Sequence, residues 1–525
     1  MGKEKKSAKL RFSKRLVLNQ YMLQQFGAKN FSDISQDLKQ SNLEEIDSEG
    51  VTGFLPRIIQ KKNILIPKDK LQEYDRNIVR HLRKINVSRD KAIHLKYFQY
   101  LSLLFVEFYL DSFFNCKESL LKGLNETITA FNEENPKEKL PSYEESELNK
   151  IALWNATGSG KTILMHINYY QYLHYASKSI STDTSIILLT PNEGLSKQHI
   201  DDFRVDGIKA DFFDKNASRN FFSDNLAVCV LENTKLSEKD GDKTVAVSRF
   251  GNQNLVFVDE GHKGSSGDKW MNFRNELCKA GFSFEYSATF GQAVGSVEKE
   301  NAKLAKQYAK CILFDYSYAY FYGDGYGKDY KIIDMNDVEN EQNTQKYLTA
   351  CLLTFYQQKK LFTEHITEIV PFNIENPLFV FVGHSVTGGS DSDKATLTDV
   401  AFILDFFRNF VSKKDEYSEY IKELINGNSG LLCKNRDIFA NSFSNIESYS
   451  PEIIYADILS LVFNAQSNGE LYIANVKGID GEIAIRIGDN EPFGLINVGD
   501  SSGLIKILKE NKFNASTLDI GHSIF

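Results

Sequence analysis

Apolar residues recur at helical spacing over Leu16–Phe26 and Tyr74–Ile85, inside a first stretch of 90 residues that is otherwise mixed and polar. Lys96–Phe114 follows as a second helical block, rich in leucine and aromatic residues. Its Leu101–Leu110 run is the longest apolar stretch of the chain. Glu107 interrupts it, so it does not read as a bilayer span. Asn132–Lys150 is charged and punctuated by prolines, which predicts a loop. The pattern then changes to short apolar runs at Ile151–Trp154, Ser185–Thr190, Leu226–Leu231, Leu255–Val258, Phe282–Tyr286 and Cys311–Phe314, separated by helical or polar stretches. Runs of this kind predict strands of a parallel sheet covered on both faces by helices.

Polar Met335–Gln345 reads as a linker into a second unit. There the pattern predicts a helix over Gln345–Phe362, a strand over Leu378–Val382 and a helix over Leu397–Val411. Further strands are expected near Leu471–Val476, Glu482–Ile487 and Phe493–Val498, the first two joined as a hairpin through Gly478–Ile479–Asp480–Gly481. The expected fold class is α/β, with two lobes built on parallel sheets behind a helical N-terminal region. The boundaries are 1–90, 91–334 and 346–525, and 525 residues suffice for two to four such domains.

Charge changes this picture little. There are 62 Lys+Arg against 70 Asp+Glu, a net charge of −8, and a local basic channel can still hold nucleic acid on a mildly acidic chain. Seven of the first fifteen residues are basic; they read as a solvated terminus, with phosphate contact as the alternative. The segment after them, Leu16–Gln20, is too polar for a signal-peptide core. Six cysteines without a CxxC pair predict reduced thiols and a cytoplasmic protein. No histidine pair stands near cysteines at zinc-ligand spacing, so no zinc is expected.

The candidate chemistry begins at Asn155–Thr162, NATGSGKT, between a strand and a helix-like run. Gly158 and Gly160 let the backbone of Thr157–Gly160, Ser159 included, turn its N–H groups around phosphate oxygens. Lys161 would reach the β- and γ-phosphates of ATP, and the Thr162 hydroxyl would ligate Mg²⁺. About a hundred residues on, the strand Leu255–Val258 leads into Asp259–Glu260–Gly261–His262. Asp259 would hold the Mg²⁺, directly or through water, and Glu260 would polarise the attacking water. A strand-ending helix cap is the plain alternative for Asp259. Ser287–Ala288–Thr289, after Phe282–Tyr286, is by itself an ordinary turn.

The order of these three elements, each following a strand, resembles motifs I, II and III of the superfamily 2 helicases and translocases. Within them the chain looks most like DEAD/DEAH-type ATPases related to the type III restriction enzyme Res subunit and the excision-repair helicase. Ile186–Phe203 resembles motif Ia, whose Pro191 turn and Gln198-bearing helix face the DNA backbone in that family. Val228–Lys235 stands where motif Ib belongs, and Phe282–Gln292 strengthens the restriction-like match. The resemblance implies two RecA-like P-loop lobes. It also implies that Ser287, Thr289 and His262 couple the nucleotide state to lobe movement; a buried structural role is the alternative for His262. Gln99 lies like the glutamine that reads adenine, and a surface glutamine is equally open. Asn155 departs from the family's Gly or Ala at a position expected to be peripheral to the phosphates.

Leu378–Val386 resembles motif IV, the first strand of the second lobe. Asp480 and Glu482 are paired carboxylates without the following lysine of a nuclease core, and Gly323–Lys328 (GDGYGK) reads as a loop. Nothing resembling the family's QxxGRxxR motif follows residue 378, so the resemblance implies a second lobe that ends before motifs V and VI. The expected activity is that of an ATP- and Mg²⁺-dependent DNA helicase or translocase subunit in a bacterial restriction or defence system. RNA stays open as the polymer. A methyltransferase or specificity subunit is the implied partner, and no membrane association is expected. The alternative is a nucleotide- and DNA-binding module or ATP switch without motor activity.

Overall fold

The computed structural model describes all residues except 1–9, 179–183, 214–225, 240–243, 261–267, 296–300, 329–339, 371–373, 383–398, 434, 477–481, 498–500, 511–512 and 519–525. Two compact units divide the chain, Met1–Asp329 and Tyr330–Phe525.

The first unit is organised by seven strands: β1 (Lys150–Asn155), β2 (Ile186–Thr190), β3 (Ala210–Phe212), β4 (Val228–Glu232), β5 (Leu255–Asp259), β6 (Phe282–Ser287) and β7 (Ile312–Tyr316). Their order across the sheet is β3-β4-β2-β5-β6-β1-β7, and every neighbouring pair is parallel. Six are the apolar runs expected from the sequence. β3 is the addition: a three-residue edge strand is too short to leave a periodic signal. The other six strands are buried on both faces, which is why they read as continuous apolar runs.

The four longest of the helices that precede the sheet among the described residues are α1 (Val17–Gln25), α2 (Lys68–Asn86), α3 (Tyr97–Asn115) and α4 (Lys117–Glu134). They do not stand apart. Val17, Leu18, Ile78, Leu104 and Leu124 share one apolar cluster with Ile151, Leu188, Phe257 and Phe314 of the sheet. α4 covers a stretch the sequence pattern leaves unassigned, and it shortens the expected loop to 135–149. Its Gly123 permits a close crossing with α1, since a Cβ there would lie 2.9 Å from the Tyr21 ring. α3 is the long apolar stretch, and Glu107 sits wholly inside the core. It accepts hydrogen bonds from Asn77 Nδ2 (3.0 Å), Gln171 Nε2 (2.8 Å) and the Tyr175 hydroxyl (2.7 Å). α5 (Lys161–Tyr175) and α6 (Glu193–Val205) follow β1 and β2, while α7 (Asp268–Leu277) and α8 (Ala302–Cys311) flank β6. No helix among the described residues is long and apolar enough to cross a membrane.

The second unit contains α9 (Glu341–Glu364), α10 (Asp399–Ser412), α11 (Lys414–Ile425), α12 (Pro451–Leu461) and α13 (Ser501–Glu510) around their own apolar core. Its sheet holds β8 (Leu471–Val476), β9 (Glu482–Ile487), β10 (Gly494–Asn497) and β11 (Asn514–Leu518), in the order β10-β9-β8-β11. The β8–β9 hairpin has the expected antiparallel register, although its turn lies outside the described residues. This sheet is mixed rather than parallel: β9 is antiparallel to both neighbours, and only β8 and β11 run parallel. Short hairpin connections enforce that, because a parallel neighbour needs a long crossover such as the one that carries α13. A second correction concerns Leu378–Val382. These residues pair with no strand among those described, and Leu378, Val380 and Val382 are 76%, 63% and 92% exposed. Apolar residues of high β-propensity do not make a strand without a neighbour for their backbone groups. The rest of the motif IV-like segment, His384 and Ser385 included, lies outside the described residues.

Candidate nucleotide site

In a parallel sheet all strands end on one side. The C-terminal ends of β5, β6 and β1, which are adjacent in that order, therefore bring Asp259–Glu260, Ser287–Thr289 and the NATGSGKT loop to one edge. This is where open α/β sheets bind ligands. Gly158 and Gly160 hold φ of 84° and 85°, a region closed to most side chains, and α5 begins at Lys161. The loop is closed on itself: Ser159 donates its hydroxyl to Ala156 O at 2.7 Å, and Ala156 N–H bonds Tyr316 O at 2.9 Å. Thr157 is exposed, and Thr162 lies half-buried in the first turn of α5. The positive end of that helix thus faces the loop.

Lys161 Nζ lies 3.0 Å from Glu260 Oε1, so the ends of β1 and β5 meet through opposite charges. Glu260 sits at φ 53°, a left-handed conformation that is uncommon for a residue with a side chain. Strain of this kind is found where the surrounding structure fixes a side chain's direction. Its N–H donates to Asp259 Oδ1 at 3.0 Å, and the Ser287 hydroxyl donates to Glu260 Oε2 at 3.4 Å. Thr289 N–H donates to Ser287 Oγ at 3.0 Å, and the Trp154 indole donates to Ala288 O at 3.0 Å. The SAT turn is thereby tied both to the DE strand end and to β1. His262 lies outside the described residues.

Gln99 comes to the same edge. Its Nε2 donates to Ser159 O at 3.0 Å, and its Oε1 accepts the Lys96 N–H at 2.9 Å, capping α3. It is a residue of the phosphate-loop surroundings, not of a free helix surface. Asn155 is fully buried, and neither amide atom has a hydrogen-bond partner among the described residues. It closes the C-terminal end of β1 inside the protein.

His199 has no counterpart in the motif reading. It is buried on α6, with Nε2 2.9 Å from Asp259 Oδ2, so an ionised Asp259 accepts its N–H. The only signal in the sequence is its place directly after Gln198 in the motif Ia-like segment. The Asp259 carboxylate and the Thr162 hydroxyl are the hard oxygen donors that a cation such as Mg²⁺ takes, so these two residues fit that ion.

The family model described as type III restriction enzyme, res subunit, matches residues 115–292. That span holds the phosphate loop, Asp259–Glu260 and Ser287–Thr289. No curated protein matches the chain. Among solved structures, T4 UvsW matches at 16% identity and a TM-score of 0.23, over 42% of this chain and 42% of that one. The chain thus spans less than half the length of UvsW. The Pyrococcus furiosus Hef helicase domain matches at 12% identity and a TM-score of 0.25, over 71% of this chain and 83% of that one. Superpositions so loose carry no argument about the present chain. The first unit thus carries, over residues 115–292, a domain similar to the type III restriction enzyme Res subunit, set on a parallel α/β sheet.

Proposed function

We propose that the first unit binds ATP with Mg²⁺ and hydrolyses it in response to DNA, as the motor subunit of a restriction or defence system. The observation that carries this reading is the 3.0 Å contact between Lys161 and Glu260, which joins the two motifs that phosphate transfer requires at one strand edge. In this reading the Thr157–Gly160 backbone and Lys161 hold the phosphates, and Lys161 exchanges Glu260 for the terminal phosphate. Glu260, released, takes the proton of the attacking water. Thr162 and Asp259 hold Mg²⁺, which neutralises charge on the phosphate oxygens. Ser287 and Thr289 sense the Glu260 carboxylate and pass its state onward, with His262 as a further coupling residue.

DNA is the polymer proposed because the Pro191–Gln198 segment resembles motif Ia, which faces the DNA backbone in that family; contacts to a backbone leave RNA as the second possibility. Backbone contacts carry no sequence information, so target choice falls to a methyltransferase or specificity partner. The test is ATP turnover by the full chain with and without duplex DNA. DNA should raise the rate several-fold, while Lys161→Ala abolishes nucleotide binding. Turnover that ignores DNA would favour an ATP switch over a motor.

A further inference from the structure

The segment after β7 lies against the phosphate loop, and its chemistry is aromatic. A Cβ built on Gly158 would sit 3.6 Å from the Phe321 ring. Phe321 packs beside Tyr326, with ring centroids 5.5 Å apart and planes tilted by 33°. Tyr326 meets Phe98 edge-on at 5.7 Å, and Phe98 immediately precedes Gln99. Phe321 and Tyr326 therefore span the interval between the phosphate loop and the start of α3. Tyr326 is 44% exposed and Phe321 half-buried, although both rings would be more stable covered.

This surface is held in place from below. Asp324, between the two rings in sequence, accepts hydrogen bonds from the Tyr97 hydroxyl and from the Tyr316 hydroxyl (2.7 Å). Its other oxygen pairs with Lys39 Nζ at 2.5 Å. The GDGYGK loop is thus anchored on α3, on β7 and on the N-terminal region at once. A rigid pair of rings at the rim of a phosphate site is a stacking surface, and every nucleobase offers a π-face to such a surface. Gln99 adds edge capacity, since its amide keeps one N–H and one oxygen lone pair after the bonds to Ser159 and Lys96.

We propose that Phe321 and Tyr326 form the base platform of this nucleotide site, stacking the purine of the bound nucleoside triphosphate while Gln99 meets its edge. The proposal rests on the reading of the neighbouring loop as a triphosphate site, and the test separates the two. Affinities of ATP and of inorganic tripolyphosphate, each with Mg²⁺, are measured calorimetrically on the full chain. Loss of one base stack is worth ~1–3 kcal/mol, so Phe321→Ala and Tyr326→Ala should each weaken ATP about tenfold. Tripolyphosphate, which has no base, should be unaffected. Phe321→Leu, which keeps the packing against Gly158 but not the ring, should lose ATP affinity like the alanine variant. If Phe321 variants do not fold by thermal melting, the exposed Tyr326 decides alone. ATP affinity unchanged in the folded variants, or ATP and tripolyphosphate weakened in parallel, would overturn the platform. A wild type that binds neither would instead overturn the triphosphate site and the platform with it.

Discussion

Lys161 and Glu260 illustrate how far single residues can be read. The roles proposed for them rest on motif spacing in the sequence; their 3.0 Å contact does not, because 99 residues separate them. General-base contributions typically reach ~10²–10⁴-fold. Glu260→Gln should therefore lower ATP turnover by at least about a hundredfold while leaving ATP binding within a few-fold, as single-turnover and equilibrium measurements can separate. Gly158 and Gly160 were legible for the same local reason, since only a tight loop requires two positive φ values so close together. His199 was not. Nothing in a one-dimensional pattern places a helix residue against Asp259 of β5, the strand next to β2 in the sheet.

Glu107 makes a separate prediction at this scale. Burial raises its carboxyl from the ordinary range to about 7, against the lowering effect of its hydrogen bonds to Tyr175, Asn77 and Gln171. Below pH 4.5 the folded and unfolded chains both hold this proton. Between about 4.5 and 7 only the folded chain holds it, so stability falls as pH rises through that window. Relative to Glu107→Gln, the wild type should lose about 3 kcal/mol across it, from ~1.4 kcal/mol per pH unit. Denaturant titrations of both proteins at pH 4.5 and 7.5 measure the difference, and parallel curves would contradict it.

At the scale of elements, strands buried on both faces were legible because each is a short apolar run between polar stretches. α4 carries an equally clear stripe in Leu120, Leu124, Ile128 and Phe131, yet it sits directly behind α3 with only Cys116 between them, where the pattern gives no boundary. Leu378–Val382 misled for the opposite reason: its composition suits a strand, while pairing is a tertiary event that composition does not contain. The packing of α7 on β6 contains a buried ion pair, Arg274 with Glu285 at 2.7 Å, exposed by 0% and 1%. Removing one partner of such a pair typically costs about 3–5 kcal/mol. Arg274→Met should lower the free energy of unfolding in denaturant titrations by that amount, and adding Glu285→Leu should recover much of it.

α6 and β5 meet through His199 and Asp259. Second partners of metal-binding carboxylates typically matter by ~10–100-fold. His199→Ala should raise the Mg²⁺ concentration required for ATP binding, with partial recovery in His199→Gln. Identical Mg²⁺ titrations of ATP binding in wild type and His199→Ala would show that the contact is only structural.

The whole molecule divides into two units at 329–330, ahead of the polar stretch 335–345. What composition does not reveal is that the N-terminal helices share the sheet's core; each is amphipathic or apolar enough to have served a separate bundle. The mixed sheet of the second unit was equally hidden, since the strand positions were evident but their directions depend on the connections between them. The function proposed at this scale is the coupling of ATP hydrolysis to a polymer. The most direct measurement is steady-state ATP turnover of the full chain with Mg²⁺, with and without duplex DNA, alongside Glu260→Gln. The account predicts turnover that DNA raises several-fold and that Glu260→Gln removes under both conditions. A Glu260→Gln protein that hydrolyses ATP as fast as the wild type would contradict it.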